Sequence, residues 1–371
     1  MTEISQARAL TQRIAAYGLS EDEAPIVVHD REWRSLMVHI KTQRLSGIAW
    51  AALNTGVLPL EESQAEDLRA LHVENMMWTL ELERALLGIA RAAEDEGVDL
   101  IVLKGPALAH RFYPDPSWRA FSDIDLLVRT SDWRRACLLL ERRGFQRELP
   151  EPRAGFDERF GKAAVHANSN GLNVDLHRAL VLGAFGFWIK PEELFERTTP
   201  FKLAGVTLKC LDDTALLLHA CVHASLGFMD PLLVPLRDLI QVAELGDVDW
   251  DEFGRLAARW RLRAVVRHAF QTAEQVLGVE SPAELLTVTG GGVSRRERRA
   301  LDSYVTPMRD RGGTVRSSLR AVPGARNKAG LLRAMLFPDQ AFLSARAGAI
   351  VKPSYVRRWS VAVRWLLRRT R

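Results

Sequence analysis

The sequence predicts an α+β protein: a small mixed β-sheet core over residues 98–210, flanked by an N-terminal helical region (1–97) and a C-terminal helical region with a basic tail (211–371). Three observations predict it. Two short apolar runs, Leu100 to Leu103 and Ile124 to Val128, are too short for helices and are bounded by turn residues and charges. A hairpin signal, Ser169-Asn170-Gly171, lies between two further strand-like stretches. Long proline-free segments with apolar residues three and four apart stand on both sides of these runs.

In chain order, Ile4 to Tyr17 reads as one helix, and Trp33, Met37, Ile40 and Ile48 as the stripe of a second. Glu62 to Glu96 is a long helix with Leu68, Leu71, Trp78, Leu82, Leu86, Ile89 and Ala93 on its apolar side; Gly97 suits its C-terminal cap. After the two apolar runs, Ser131 to Arg143 is a helix with Ser131 or Thr130 as N-cap, and Gly144 closes it. Phe145 to Leu149 is a strand, 150–161 a loop, and Ala163–Asn168 and Asn173–His177 the two arms of the hairpin.

The pattern turns helical again from Leu211, with Asp212-Asp213-Thr214 as a capping signal. Pro235 begins another helix, and Trp250 to Leu277 gives one or two more. Gly290-Gly291-Gly292 reads as a flexible link, because no Lys-Ser/Thr follows it as in a phosphate loop. Arg295 to Arg299 reads as a solvated charge run. Val356, Trp359, Val363 and Leu366 share one face of a terminal helix and Arg357, Arg364, Arg368 and Arg371 another. That pattern fits a helix docked on the body, or one that meets a partner or a membrane surface.

The 371 residues suffice for two or three packed units. The N-terminus lacks a basic segment followed by an apolar one, so no secretory signal is expected, and no apolar run is long enough to span a bilayer. Three scattered cysteines, Cys137, Cys210 and Cys221, argue for a reducing cytoplasm and against a disulfide frame or a zinc knuckle. The formal charge is +5, unevenly spread. Residues 301–371 carry fifteen Lys/Arg against three Asp/Glu, a net of +12, while residues 1–300, with 36 basic and 43 acidic side chains, stand at −7. A basic tail suits a polyanionic partner such as nucleic acid, anionic lipid or an acidic substrate; an Arg-rich solvated helical face is the preferred account.

The chemistry concentrates around Ser122-Asp123-Ile124-Asp125. Residues two apart on a strand project from one face, so Asp123 and Asp125 aim both carboxylates the same way. Paired anions beside apolar residues repel and lose solvation unless a cation joins them. A hard divalent ion, Mg²⁺ where phosphates are present, is the natural guest.

Leu103-Lys104-Gly105-Pro106-Ala107-Leu108, Tyr113-Pro114 and Arg119-x-x-Ser122-Asp123-Ile124-Asp125-Leu126-Leu127-Val128 together resemble a stand-alone bacterial nucleotidyltransferase family of the polymerase-β-type superfamily. Leu336-Phe337-Pro338-Asp339 is similar to that family's C-terminal region. The resemblance implies a nucleotidyltransferase core and transfer of a nucleoside monophosphate from an NTP, ATP by default, to a hydroxyl or phosphate acceptor, with pyrophosphate released. The implied acceptors are small molecules, natural-product peptides or saccharides. The alternatives are tRNA or other RNA ends, reached through the basic tail, or a catalytically inactive nucleotide-binding module. The implied cofactor is a pair of Mg²⁺ ions, with Mn²⁺ as a substitute.

The resemblance also assigns roles. Asp123, Asp125 and, on a further strand, Asp175 would be catalytic metal ligands. Lys104 and Gly105 would meet the triphosphate, because Pro106 stands where the superfamily usually has Ser or Gly and removes a hydroxyl. His177 shares the face of Asp175; it contacts the nucleotide or acceptor, orients Asp175, or is a surface histidine. Arg119 binds a phosphate or is a surface cation, and Ser122 caps or positions the strand. Arg237 and Asp238 line the acceptor pocket or form an ion pair. His219 and His223, four apart on one helix face, are not a zinc-protease pair, because Ala220 stands where that motif carries Glu. They read as packed side chains at a domain junction, with a site role as the alternative.

Overall fold

The computed structural model describes residues 3–20, 24–227, 233–305 and 311–347. The proposed terminal helix around Trp359 lies outside these. Seven strands form one sheet: β1 (Leu100–Val102), β2 (Asp123–Val128), β3 (Gln146–Arg147), β4 (Ala163–Ala167), β5 (Asn173–His177), β6 (Thr198–Leu203) and β7 (Val206–Leu211). Their order is β3-β4-β5-β2-β1-β7-β6. The β2–β5 and β1–β7 pairs are parallel and the other four antiparallel, so the sheet is mixed, as expected.

Alternation along the strands separates two cores. Val102, Ile124, Leu126, Val128, Val174 and Leu176 pack under the second half of the helix Glu62–Asp95 and the helix Trp133–Arg142. Ile101, Leu103 and Leu127 face the other way, into a larger core built by the N- and C-terminal helices. The long helix serves both: Leu68 and Leu71 enter the larger core, Leu82, Leu86, Ile89 and Ala93 the smaller. Its 34 residues span about 51 Å, enough to reach across both layers. Each fully buried Leu or Ile adds about 1.5–3 kcal/mol. No helix of the described residues is long and apolar enough to cross a membrane.

Several expected boundaries shift for local reasons. The expected second helix is two, Asp30–Gln43 and Ser46–Asn54, because Arg44 takes a left-handed conformation (φ 58°) and ends the first; Ile48 belongs to the second. Residues Thr130–Asp132 form a 3₁₀ turn, and the helix begins at Trp133 after Asp132, without the Ser131 or Thr130 cap. The strand at 145–149 shrinks to the two residues of β3, and the loop at 150–161 contains the short helix Phe156–Phe160. The charge run at Arg295 opens a helix whose Glu297 is buried, its carboxylate accepting from the backbone N–H and the hydroxyl of Ser294. The hairpin β6–β7 has no counterpart among the sequence expectations; β7 extends the sheet by pairing Cys210 with Val102 of β1.

Candidate active site

On β2, Ile124 and Leu126 point into the smaller core, which turns Asp123 and Asp125 to the face shared with the terminal helices. The parallel register with β5 sets Asp125 opposite Asp175 and Leu127 opposite His177. Partners in register project from the same side of a sheet, so three polar side chains converge. One ligand atom each from Asp125, Asp175 and His177 lies within 4.8 Å of the other two, a set with the donors and spacing to hold a metal ion. Asp123 stands outside this set; it lines the adjoining cleft, and the Ser122 hydroxyl donates to its Oδ1 at 3.2 Å.

Asp125 is buried and held from two sides. Lys104 Nζ lies 2.9 Å from Oδ2 and His177 Nε2 3.0 Å from Oδ1. Burial alone would raise its pKa; the Lys104 ammonium and the His177 contact outweigh burial and hold the carboxyl well below the usual range. Lys104 is correspondingly shifted up, burial opposing and Asp125 and Asp123 prevailing. Asp175 moves the other way. Burial, with the neighbouring Asp125 and Asp123 charges, pushes its carboxyl above the ordinary value against the pull of His177 and Lys162. His177 lies between two acceptors, its Nδ1 3.2 Å from the Ala179 carbonyl and its Nε2, the atom turned to the site, 3.0 Å from Asp125 Oδ1. The surface-histidine alternative fails: His177 is 1% exposed.

Gly105 joins β1 to the helix Pro106–Phe112 with φ 57°, and a Cβ there would sit 3.3 Å from the Phe121 ring. Glycine is needed on both counts. Leu103 N–H donates to the Asp125 carbonyl at 3.0 Å, tying the Lys104-Gly105 turn to the acidic strand.

Arg119 is buried, which removes its reading as a surface cation. Its Nε and Nη2 meet Asp238 Oδ1 and Oδ2 at 2.8 and 2.7 Å, and the Tyr113 hydroxyl donates to Oδ1 at 2.8 Å. Asp238 thus belongs to a buried ion pair, and Arg119 reaches the cleft wall only as part of it. Arg237 donates to the carbonyls of Ala15 (2.7 Å) and Tyr17 (2.5 Å), joining the terminal helices.

An open cleft lies over this end of β2. Lys104, Gly105, Phe121, Asp123 and Asp125, from the sheet core, line it. Gln43, Arg44, His223 and Val234, all from the terminal helical regions, line it as well. His223 and its neighbour His219, ring centroids 6.4 Å apart, therefore stand over the site. Burial, then the Lys104 charge, lowers both, His219 to about 3. Their four-residue spacing carried the only sequence signal of this. Lys162 was missed altogether; it precedes β4, and burial and Lys104 lower its pKa against the attraction of Asp125, Asp175 and Asp123. No local motif marks it, because strand pairing alone brings it near.

No match was found among the curated proteins. The crystal structure of an antigenic nucleotidyltransferase-like protein from Paracoccidioides brasiliensis is similar over 57% of this chain and 97% of its own, at 15% identity and a TM-score of 0.33. The profile of a family described as "Uncharacterised nucleotidyltransferase" matches residues 29–278. That match spans the whole acidic strand block, the cleft and more than half of the sequence, and the chain belongs to this nucleotidyltransferase family.

Proposed function

We propose that the chain transfers a nucleoside monophosphate from an NTP to a hydroxyl or phosphate acceptor, releasing pyrophosphate. The observation that carries this reading is the register that sets Asp125 beside Asp175, with His177, at the edge of an open cleft that also contains Lys104 and Gly105. The cluster fits a divalent cation: two carboxylates and an imidazole within 4.8 Å, drawn from two paired strands. Asp125, Asp175 and His177 would hold it, with Asp123 placed for a second ion or for the phosphates beside it. When bound, such an ion neutralises phosphate charge and acidifies a coordinated hydroxyl.

The chain's own residues account for the remaining chemistry. Lys104 keeps Asp125 anionic and stands at the cleft wall, where its ammonium can pass to a phosphate oxygen. Asp175, the carboxylate with the raised pKa, is the better base and takes the proton of the acceptor hydroxyl. The acceptor oxygen then bonds to the α-phosphorus. The bond from that phosphorus to the bridging oxygen breaks, and its electron pair leaves with pyrophosphate. His177, fixed by the Ala179 carbonyl, orients Asp125. Pyrophosphate release from an NTP panel with Mg²⁺, measured on the wild type and on Asp125→Asn and Asp175→Asn, tests the proposal. Full turnover in either folded variant overturns it.

Pro106, in place of a hydroxyl-bearing residue, supports a second reading: a module that binds nucleotide without turnover. Calorimetric binding of Mg-NTP with no pyrophosphate released across a broad acceptor panel would select it.

A further inference from the structure

The helix Asp30–Gln43 ends at the cleft, and it ends in an unusual way. Its cap residue Arg44 has φ 58° and ψ 40°, the left-handed conformation that helix ends normally give to glycine. Arg44 is exposed and lines the same cleft as Lys104, Gly105 and Asp123. The other two cleft cations are engaged, Lys104 with Asp125 and Arg119 with Asp238. Among the described residues no carboxylate lies within ion-pair distance of Arg44. The preceding Gln43 is pinned: its side-chain carbonyl accepts from the backbone N–H of Leu233 at 2.9 Å, fixing the helix end against the helix Leu233–Leu245.

A strained backbone position retained at a cleft, bearing an uncommitted guanidinium, calls for a ligand. From this we infer that Arg44 is the cation for the β- and γ-phosphates of the NTP. It supplies from the N-terminal region the contact that Pro106 cannot make. This rests on the nucleotide-transfer reading above. A guanidinium presents paired donors to phosphate oxygens, and it shares one cleft with Lys104 and the acidic residue Asp123, where a triphosphate would lie.

Arg44→Gly separates the ligand role from a structural one. Glycine removes the guanidinium and relieves the left-handed backbone, so the thermal midpoint should match or exceed that of the wild type. Calorimetry with Mg²⁺ and a nonhydrolysable α,β-methylene NTP should show at least tenfold weaker binding for Arg44→Gly and Arg44→Ala. Inorganic tripolyphosphate should weaken likewise, and the nucleoside monophosphate should bind as to the wild type. Wild-type affinity for the analogue in Arg44→Gly overturns the inference. So does an equal loss for monophosphate and triphosphate, which would make Arg44 a shaper of the cleft. A wild-type protein that binds neither analogue nor tripolyphosphate removes the nucleotide reading itself, and this inference with it.

Discussion

Arg119 and Asp238, 119 residues apart in sequence, form a two-pronged ion pair buried between the sheet and the C-terminal helices. The pair fastens the loop that precedes the acidic strand to the helix Leu233–Leu245. The cleft therefore has a fixed floor and a wall bolted to it.

Removing one partner leaves the other charge buried. Arg119→Ala and Asp238→Ala should each lower stability by about 3–5 kcal/mol, with strong coupling in the double variant. Arg119→Lys keeps the charge and loses the fork, and should recover only part. Denaturant unfolding measures this. An Arg119→Ala protein of unchanged stability but weakened NTP binding would instead make Arg119 a phosphate ligand.

Asp125 and Asp175 should respond oppositely to neutralisation, although under the proposed function both changes should abolish turnover. Asp125→Asn takes the carboxylate from Lys104 and His177 and should cost at least about 2 kcal/mol. Asp175→Asn removes an anion that Asp125 and Asp123 repel, so stability should stay within about 0.5 kcal/mol or rise. Thermal melts beside pyrophosphate-release assays would reveal the contrast; equal destabilisation would contradict the assigned charges.

The acidic strand was legible in the sequence because its chemistry is local: Asp123-Ile124-Asp125 shows its alternation within three residues. The hairpin arm Asn173–His177 was equally clear from its turn residues and matches β5 residue for residue. What the sequence did not carry was pairing between distant segments. The parallel β2–β5 register decides that Asp125, rather than Asp123, clusters with Asp175, and nothing local encodes a register. The strands β6 and β7 were hidden for a similar reason. Exposed Lys202 and Lys209 alternate with buried residues, but the pairing of β7 with β1 is tertiary. The terminal-region lining of the cleft, with Arg44 and His223, follows from how helices far apart in sequence pack, and a helical stripe cannot report its neighbour.

Gly105 should tolerate no side chain. Alanine at φ 57° and ψ −109°, a region sparsely populated by L-residues, costs about 1–3 kcal/mol in backbone strain, and its Cβ would press on Phe121 at 3.3 Å. Because Leu103 is hydrogen-bonded to Asp125, displacement of this turn moves Lys104 relative to the acidic cluster. Gly105→Ala should therefore lower both the thermal midpoint and Mg-NTP affinity. A variant with intact affinity would show that the turn is structural alone.

His219 gives the fold an acid-sensitive point. It is buried on the helix over the site, and burial, with the nearby Lys104 and His177 charges, lowers its pKa to about 3 against the attraction of Asp125. The unfolded chain takes up this proton near pH 6.5, whereas the folded chain refuses it until about pH 3. Between those values the unfolded state binds more protons, so stability falls as pH falls, by about 1.4 kcal/mol per pH unit for this one group. Other buried histidines with lowered pKa, such as His166, add slope of the same sign. His219→Gln should therefore remove about one proton's worth of slope between pH 6 and 4 and leave the slope above pH 7 unchanged. Denaturant titrations of both proteins across that range read the difference directly; parallel curves would mean that His219 is protonated in the fold, paired with an anion instead of held neutral beside Lys104.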